Sequence, residues 1–401
     1  MPKILITGNG FDLSLCLPTS YSDFINILNS LNEYGKLDYE TIYRKSINYN
    51  QITENYKSFD FNFDKIEILK GEIKSNLWFK FFKNEFEIET WIDFENKIEY
   101  VLKILFSSVK YLKDNLFSKG SINKDTVNFN SKLFNNNVEI IQVLNKFNII
   151  SLNEYYEIRF NENYLIRKYD FFIDVDINKI TKELIEELDN FKKIFNYYFE
   201  VFVFPFYFNQ KKRVGKTLFS NINKHYTFNY TPTFDKFYSN AQKTSFLHGK
   251  IDSSSNQIVL GINEIPEGEL DKRYFIPFTK YFQKLNNNTD FEFITEFEKK
   301  KNVNYIFFFF GHSLDSSDSD YINEIFNFVN DLNSRIKKIV IIHHNDKSKS
   351  QLLLNLLNIR GKDDIQKLMK KNILVFNHID SIELKRELDR DITKSPMITI
   401  S

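Results

Sequence analysis

From about residue 220 onward, short apolar runs alternate with helix-like stretches, and this alternation limits the fold more than any other feature. His225–Asn229 (HYTFN), Thr244–His248 (TSFLH), Gln257–Ile262 (QIVLGI), Asn304–Phe310 (NYIFFFF), Ile336–His343 and Ile373–Phe376 read as strands. Between them, helices are predicted over Phe234–Asn240, about 319–332 and 347–358. Strands separated by helices are the sequence mark of a parallel sheet. The first two dozen residues fit the same scheme. Lys3–Thr7 (KILIT) reads as a buried strand, Gly8-Asn9-Gly10 as a tight turn, and Phe11-Asp12-Leu13 with Leu17–Phe24 as the start of helix. A strand ending in Gly-x-Gly lets backbone N–H groups approach a phosphate, because glycine has no Cβ and reaches φ > 0. The third glycine of the dinucleotide fingerprint is replaced by Leu13. Alone, the tripeptide fits a plain turn before a helix equally well.

The stretch from 21 to 219 has a different character. Phe24, Ile27, Leu28 and Leu31 have helical spacing, as do Ile180, Leu184, Leu188, Phe191, Ile194 and Phe195 in a helix over 179–204. Residues 80–118 read as one or two long helices with Trp91, Phe94, Ile98, Val101, Leu102 and Leu105 on one face. Asp93 and Glu95 sit beside Trp91, either as solvated carboxylates or as one that reaches a pocket from this segment. Residues 34–75 show no clear period, and 119–178 suggest short strands near Phe147–Leu152 and Phe171–Val175. The expected architecture is therefore a doubly wound parallel α/β sheet from 1–20 plus 220–401, with 21–219 inserted as a mostly helical lobe.

At 401 residues, two lobes or a large insertion are expected. The 43 Phe and 22 Tyr are a global bias, so any aromatic stripe reads first as core. Net charge is +1, which argues against a nucleic-acid surface; the basic clusters at Lys211-Lys212-Arg213 with Lys216 and at Lys299-Lys300-Lys301 are short. One cysteine, Cys16, excludes an internal disulfide and a multi-Cys zinc site. The apolar run Tyr197–Phe208 is too short to span a bilayer and contains Glu200 and Pro205. The chain opens on a strand rather than a leader-like segment, so no membrane association and a cytoplasmic location are expected.

Ligands of such sheets bind beyond the carboxyl ends of the strands. The residues there are Gly8-Asn9-Gly10, Asn229, His248-Gly249 and Gly311-His312-Ser313-Leu314-Asp315. Each has a bland alternative: a hydrogen-bonded turn histidine for His248, a loop residue for Asn229, a helix N-cap for Ser313 and Asp315. Their agreement at four strand ends points to a pocket. His343 and His344 are adjacent on a strand and face opposite ways, so no metal site is expected.

Taken together, Gly8-Asn9-Gly10-Phe11-Asp12-Leu13, Leu17–Phe24, Trp91-Ile92-Asp93-Phe94-Glu95, Thr227-Phe228-Asn229-Tyr230-Thr231, Leu247-His248-Gly249 and Gly311-His312-Ser313-Leu314 resemble, in order, the AbiH family of bacterial abortive-infection proteins. Residues 34–75 and 119–178 carry none of that likeness. AbiH domains are in turn similar to the Rossmann-like, sirtuin/DHS-like fold that binds nicotinamide dinucleotide. On that wider resemblance, Thr227–Thr231 stands where sirtuins carry Thr-Gln-Asn-x-Asp, His248-Gly249 where they carry the catalytic His-Gly, and Gly311–Leu314 where they carry Gly-Thr-Ser-Leu. Tyr230-Thr231 departs from x-Asp, and the Cys-x-x-Cys zinc ribbon of the deacylases is absent, which argues against protein deacylation. The resemblance implies an anti-phage NAD⁺ glycohydrolase without a metal. Asn229 and His248 would be catalytic; Gly8, Asn9, Gly10, Phe11, Asp12, Thr227, Gly249, Gly311, His312, Ser313 and Asp315 would bind NAD⁺. A phage-derived trigger or partner protein, and a homo-oligomer or defence complex, would complete it. A nucleotide-sensing module without catalysis and, less favoured by the charge, a nuclease remain the alternatives.

Overall fold

The computed structural model describes residues 2–390 apart from 34–36, 84, 86–90, 119, 123–127, 130–136, 153–157, 212–217, 239–243, 252–256, 267–270, 288, 290–292, 295–296, 298–301 and 335. Its centre is a six-stranded sheet. The strands are β1 (Lys3–Thr7), β2 (Lys224–Thr227), β3 (Thr244–Phe246), β4 (Tyr305–Phe310), β5 (Lys337–His343) and β6 (Leu374–His378). All neighbours pair in parallel, in the order β3-β2-β1-β4-β5-β6. The chain builds outward from β1 on one side, then returns to β4 and builds outward on the other. The order therefore reverses between β1 and β4, the switch point at which ligands of such sheets bind.

The strand pattern explains why both faces are covered. Every residue of β4 is buried. Tyr305, Phe307 and Phe309 enter one apolar cluster; Ile306, Phe308 and Phe310 enter the other. Side chains alternate faces along a strand, so an uninterrupted apolar run needs cover on both. Each fully buried Phe contributes roughly 1.5–3 kcal/mol of transfer free energy. One face is covered by the helices Ser319–Asp331 and Asp346–Arg360. The other face merges with the core of the inserted segment, where Phe24, Trp78, Phe94, Phe191 and Tyr198 belong to the same cluster as Leu5 and Phe308.

The insertion is mostly helical, with two small antiparallel sheets over Asn128–Phe129, Ile150–Leu152, Ile158–Phe160 and over Leu165–Lys168, Phe171–Val175. The long helix predicted over 80–118 is two, Leu77–Phe82 and Trp91–Leu116. That predicted over 179–204 runs Ile177–Tyr198, then widens into a π-helical turn at Phe199–Val203 and tightens into a 3-10 turn at Phe204–Tyr207, which holds Pro205. Residues 34–75, which lack a visible period, hold helices Tyr39–Tyr43, Tyr49–Asn55 and Phe63–Ser75. Local capping supports two of them: Asp38 accepts from the Thr41 N–H and Asn62 from the Lys65 N–H. Two more unforeseen helices, Lys362–Lys370 and Ile382–Asp389, lie beside β6.

One predicted strand is absent. Gln257–Ile262 forms no ladder with the sheet. The Gln283 side-chain amide takes the place of a strand partner, accepting from the Leu260 N–H at 3.0 Å and donating to the Leu260 carbonyl at 2.9 Å. Its buried apolar residues made it look like a strand, and its backbone polar groups are satisfied without one. The end of the predicted helix beyond Tyr238, Lys212, Arg213, Lys216 and the 299–301 cluster lie outside the described residues.

Candidate functional site

Register sets the site. Thr7 pairs with Thr227 and Phe310, Phe310 with Ile342, and Thr227 with Phe246. The loops that follow these residues therefore emerge at one level, around a cavity of about 460 Å³. Of the residues singled out from sequence, Gly8, Asn9, Gly10, Asp12, Asn229, His248, Gly311, His312 and Ser313 line it.

One wall is a joint between two glycine loops. A Cβ on Gly8 would lie 2.7 Å from His312 Cα, one on Gly10 2.8 Å from Gly311 Cα, and one on Gly311 2.0 Å from the Phe11 nitrogen. Gly311 also has φ +69°. The Gly10 N–H donates to the Gly311 carbonyl at 2.8 Å and the Gly8 N–H to the Phe310 carbonyl at 3.3 Å. The glycines thus let two backbones meet, and two of the N–H groups expected to cradle a diphosphate are already used by the protein. Asn9, half-buried on the cavity, is the member of the tripeptide that keeps a side chain facing it.

Four of the predicted contact residues stand behind the wall. Phe11 is core, with ring centroids 5.7 Å from Phe310 and 5.9 Å from Tyr238. Thr227 bonds the Thr7 hydroxyl at 2.9 Å and accepts from the Asn229 N–H at 3.0 Å, which positions Asn229. Gly249 turns the chain at φ +83°, where a Cβ would strike the Gln257 carbonyl. Asp315 caps the short turn Ser316–Asp318 by accepting from the Ser317 N–H.

Asn229 Nδ2 donates to the Gly8 carbonyl at 3.0 Å, tying the second strand end to the first. Beside it, Asp12 is buried and accepts from the Thr231 hydroxyl. The Thr231 hydroxyl, after β2, thus serves a carboxylate that follows β1. Burial pushes the Asp12 carboxyl up to about 7 against the hydrogen bonds from Thr231, Thr233 and Asn229. Its Oδ1 has no aligned hydrogen-bond partner.

The opposite wall is charged. His248 Nε2 lies 3.1 Å from Asp318 Oδ1, and His312 Nε2 lies 3.2 Å from Asp318 Oδ2. His312 Nδ1 accepts from the Leu314 N–H at 2.9 Å, which leaves its proton on Nε2 to donate to Asp318. The His248 contact is close but out of line, so neither His248 Nε2 nor Asp318 Oδ1 has an aligned hydrogen bond. Their side chains are 7% and 9% exposed. Burial drives the His248 pKa down to about 4 although Asp318 opposes it, so the imidazole is neutral at pH 7. For Asp318, burial works upward, yet the carboxyl stays well below its usual range because His248, Lys280 and the imidazole donors favour the anion.

The insertion completes this wall. Trp91 Nε1 donates to the Thr19 carbonyl at 2.9 Å, and its ring packs edge-on to Tyr21. That fixes the start of the helix Trp91–Leu116 against the first loop and carries Glu95 into the cavity, where its Oε2 lies 2.6 Å from Lys280 Nζ. Asp93 does not line the cavity. Lys280 begins the helix Lys280–Asn287, on which Lys284 donates to the Tyr321 hydroxyl at 2.7 Å. Asp318, Lys280 and Lys284 carry no separate sequence signal: the two lysines look like ordinary helix-surface charges, and Asp318, in the turn Ser316–Asp318, looks like a helix cap. Further along, His343, His344, Ser348 and Gln351 line the end beyond β5. Among the described residues, no group of three or more His, Cys, Asp or Glu is placed to hold a metal ion, and no helix is long and apolar enough to cross a membrane.

A parallel α/β sheet with a largely apolar cavity at its switch point, into which a few polar and charged side chains converge and which is walled in part by a helical insertion, defines the class of protein. Residues 4–343 match the family described as bacteriophage abortive infection AbiH. The match spans most of the chain, which therefore belongs to the AbiH family and with it to anti-phage defence. No curated protein and no solved structure matches the chain.

Proposed function

We propose that this AbiH chain is an NAD⁺ glycohydrolase, cleaving NAD⁺ to nicotinamide and ADP-ribose, on a Rossmann-like fold of the sirtuin type. The strand order supports the fold reading: six parallel strands that build outward from β1 and β4 follow the same order as the two halves of a Rossmann sheet. The observation that carries the activity is the meeting of Asn229 and a neutral, buried His248 on one cavity at that switch point.

The chemistry asks for little acid catalysis. As the bond from the ribose carbon to the nicotinamide nitrogen breaks, its electron pair goes to a ring that was already cationic and departs neutral. Positive charge builds on the ribose carbon, and water supplies the new C–O bond and gives up a proton. Asn229 would hold a ribose hydroxyl or the water, its position set by the Gly8 carbonyl and Thr227. His248 would accept a hydrogen bond or a proton from one of these. The anionic Asp318 beside it favours positive charge nearby, and so the developing cation. Asn9 and Ser313 would meet the diphosphate or the second ribose. No metal is needed for these steps, and a phage-derived trigger or assembly into an oligomer would control them.

The test is direct. Purified protein, alone and with phage lysate, is incubated with NAD⁺ and the products are read by mass spectrometry. Nicotinamide and ADP-ribose from wild type, but not from His248→Ala, support the proposal; intact NAD⁺ under all conditions refutes it. A second reading is a nucleotide sensor without turnover, in favour of which stands the burial of His248 and Asp318, whose side chains open little to the cavity. Saturable NAD⁺ binding with no product would establish that reading instead.

A further inference from the structure

We infer that Glu95, carried into the cavity by the insertion, is the general base that takes the proton of the attacking water, with Lys280 as its positioning partner. The inference rests on the glycohydrolase reading and assigns the one step left open there.

The geometry is that of a built couple. Glu95 Oε2 and Lys280 Nζ are 2.6 Å apart, with side chains 12% and 4% exposed, and both line the cavity. They come from different parts of the chain, the insertion helix Trp91–Leu116 and the helix Lys280–Asn287 before β4. A surface ion pair contributes little to stability and a buried one costs desolvation, so a pair at a cavity needs another reason to be there. Titratable groups face it from every side: the cations Lys280 and Lys284 from one helix, the anion Asp318 ahead of the helix Ser319–Asp331, the neutral His248 after β3 and the neutral Tyr230 hydroxyl after β2.

Three carboxylates and a histidine on the cavity could receive the proton. Asp12 is committed to the Thr231 hydroxyl, which anchors it to the loop after β2. Asp318 stays strongly acidic and already accepts from His312, and burial makes His248 a weak base near 4. Burial acts the other way on Glu95 and raises its pKa to about 7 despite Lys280, which suits proton uptake at neutral pH. In the step, a water O–H bond breaks, its proton goes to a Glu95 carboxylate oxygen, the water oxygen bonds to the ribose carbon, and nicotinamide leaves with the pair of the broken C–N bond. Solvent later removes the proton from Glu95. His248 is then left to the ribose hydroxyl.

The experiment is the pH profile of nicotinamide release by wild type, Glu95→Gln, Lys280→Met and His248→Ala. A base must be ionised to act, so wild-type kcat/KM rises with pH through about 7. Glu95→Gln keeps a hydrogen bond to Lys280 but cannot take a proton; kcat falls about a hundredfold or more, KM stays within about threefold, and the rise with pH disappears. Lys280→Met removes the cation that lowers the Glu95 pKa, so the rise moves to higher pH. His248→Ala lowers the rate but keeps the rise in whatever turnover remains. A Glu95→Gln enzyme within about threefold of wild-type kcat, or one that keeps the pH rise, overturns the assignment while leaving the glycohydrolase reading intact. Equal losses in Glu95→Gln and Lys280→Met with no displacement of the profile reduce the pair to a structural tie and overturn it too. Wild type that releases no nicotinamide overturns both.

Discussion

The cavity has two walls built on opposite principles. The wall made by Gly8–Gly10 and Gly311 is backbone against backbone, with the Gly8 and Gly10 N–H groups paired and its shape set by the missing Cβ atoms. The wall made by His248, Asp318, Glu95 and Lys280 is side chain against side chain, with Glu95 and Lys280 buried 2.6 Å apart and the neutral His248 3.1 Å from the Asp318 carboxylate. A fault in the first removes the joint that holds the strand ends together. A fault in the second leaves the fold standing and changes what the cavity can do. Substitutions on the two walls should therefore separate stability from chemistry.

The largest expected effect is on the charged wall. His248→Ala should reduce nicotinamide release by about 10²–10⁴-fold while the melting temperature moves little. Asn229→Ala should reduce release as well, and it costs about 0.5–1.5 kcal/mol of stability because the Gly8 carbonyl loses its partner. Rates within a few fold of wild type would show that neither side chain takes part in the reaction. On the glycine wall the dominant effect is on folding. Gly311→Ala should cost about 3 kcal/mol or more in denaturant unfolding, since backbone strain at φ +69° adds to a clash with the Phe11 nitrogen. Gly361 is the control: it has φ +77° but open space around it, so Gly361→Ala should show the strain alone, about 1–3 kcal/mol. Equal losses at both glycines would mean the two loops can move apart, and the joint would not be rigid.

Asp12 lies where the walls meet, and its effect is read in pH. Its folded-state pKa of about 7 stands above the ordinary 3.8, so the folded protein keeps a proton that the unfolded chain releases. The stability this gives is full below about pH 4 and is lost as pH rises through about 7. Glu95 adds a loss in the same window. Asp12→Asn should flatten its own share of the decline, on the order of 1–4 kcal/mol between pH 4 and 8 in the same unfolding measurement. An unchanged slope would show that Asp12 titrates alike in both states.

The two walls also differ in how far they can be read from the sequence. Strands and glycine turns are local: KILIT before Gly8 and YIFFFF before Gly311 announce themselves within a few residues, and parallel register brings their ends level. His248 and Asn229 were legible for the same reason. Glu95 is legible only as one of two carboxylates beside Trp91, either of which could reach a pocket. Lys280 stands on a helix and Asp318 in the short turn before one, where such charges are ordinary, and only the fold brings them to one cavity. Phe11, Thr227, Gly249 and Asp315 fail in the opposite sense. Nearness in sequence to a strand end places them at the site but not on its surface. Gln257–Ile262 mimics a strand because burial, which periodicity detects, is satisfied there by the Gln283 amide, which it does not.

The smallest effect decides what the glycine wall is for. With the Gly8 and Gly10 N–H groups spent on Phe310 and Gly311, that wall has few donors left for a diphosphate. Asn9 faces the cavity between them. If it binds nucleotide, Asn9→Ala removes about one hydrogen bond and weakens NAD⁺ binding up to about tenfold, measured calorimetrically in a His248→Ala background where substrate is not consumed. The fold should be indifferent, because Asn9 is half-buried at the start of a six-residue helix. Unchanged binding would make Gly8–Gly10 a packing joint only, and recognition of the nucleotide would then pass to Ser313 and the residues beyond β5. A binding loss accompanied by lower stability would instead show that the asparagine helps to hold the joint closed, and the separation between the two walls would fail at this residue.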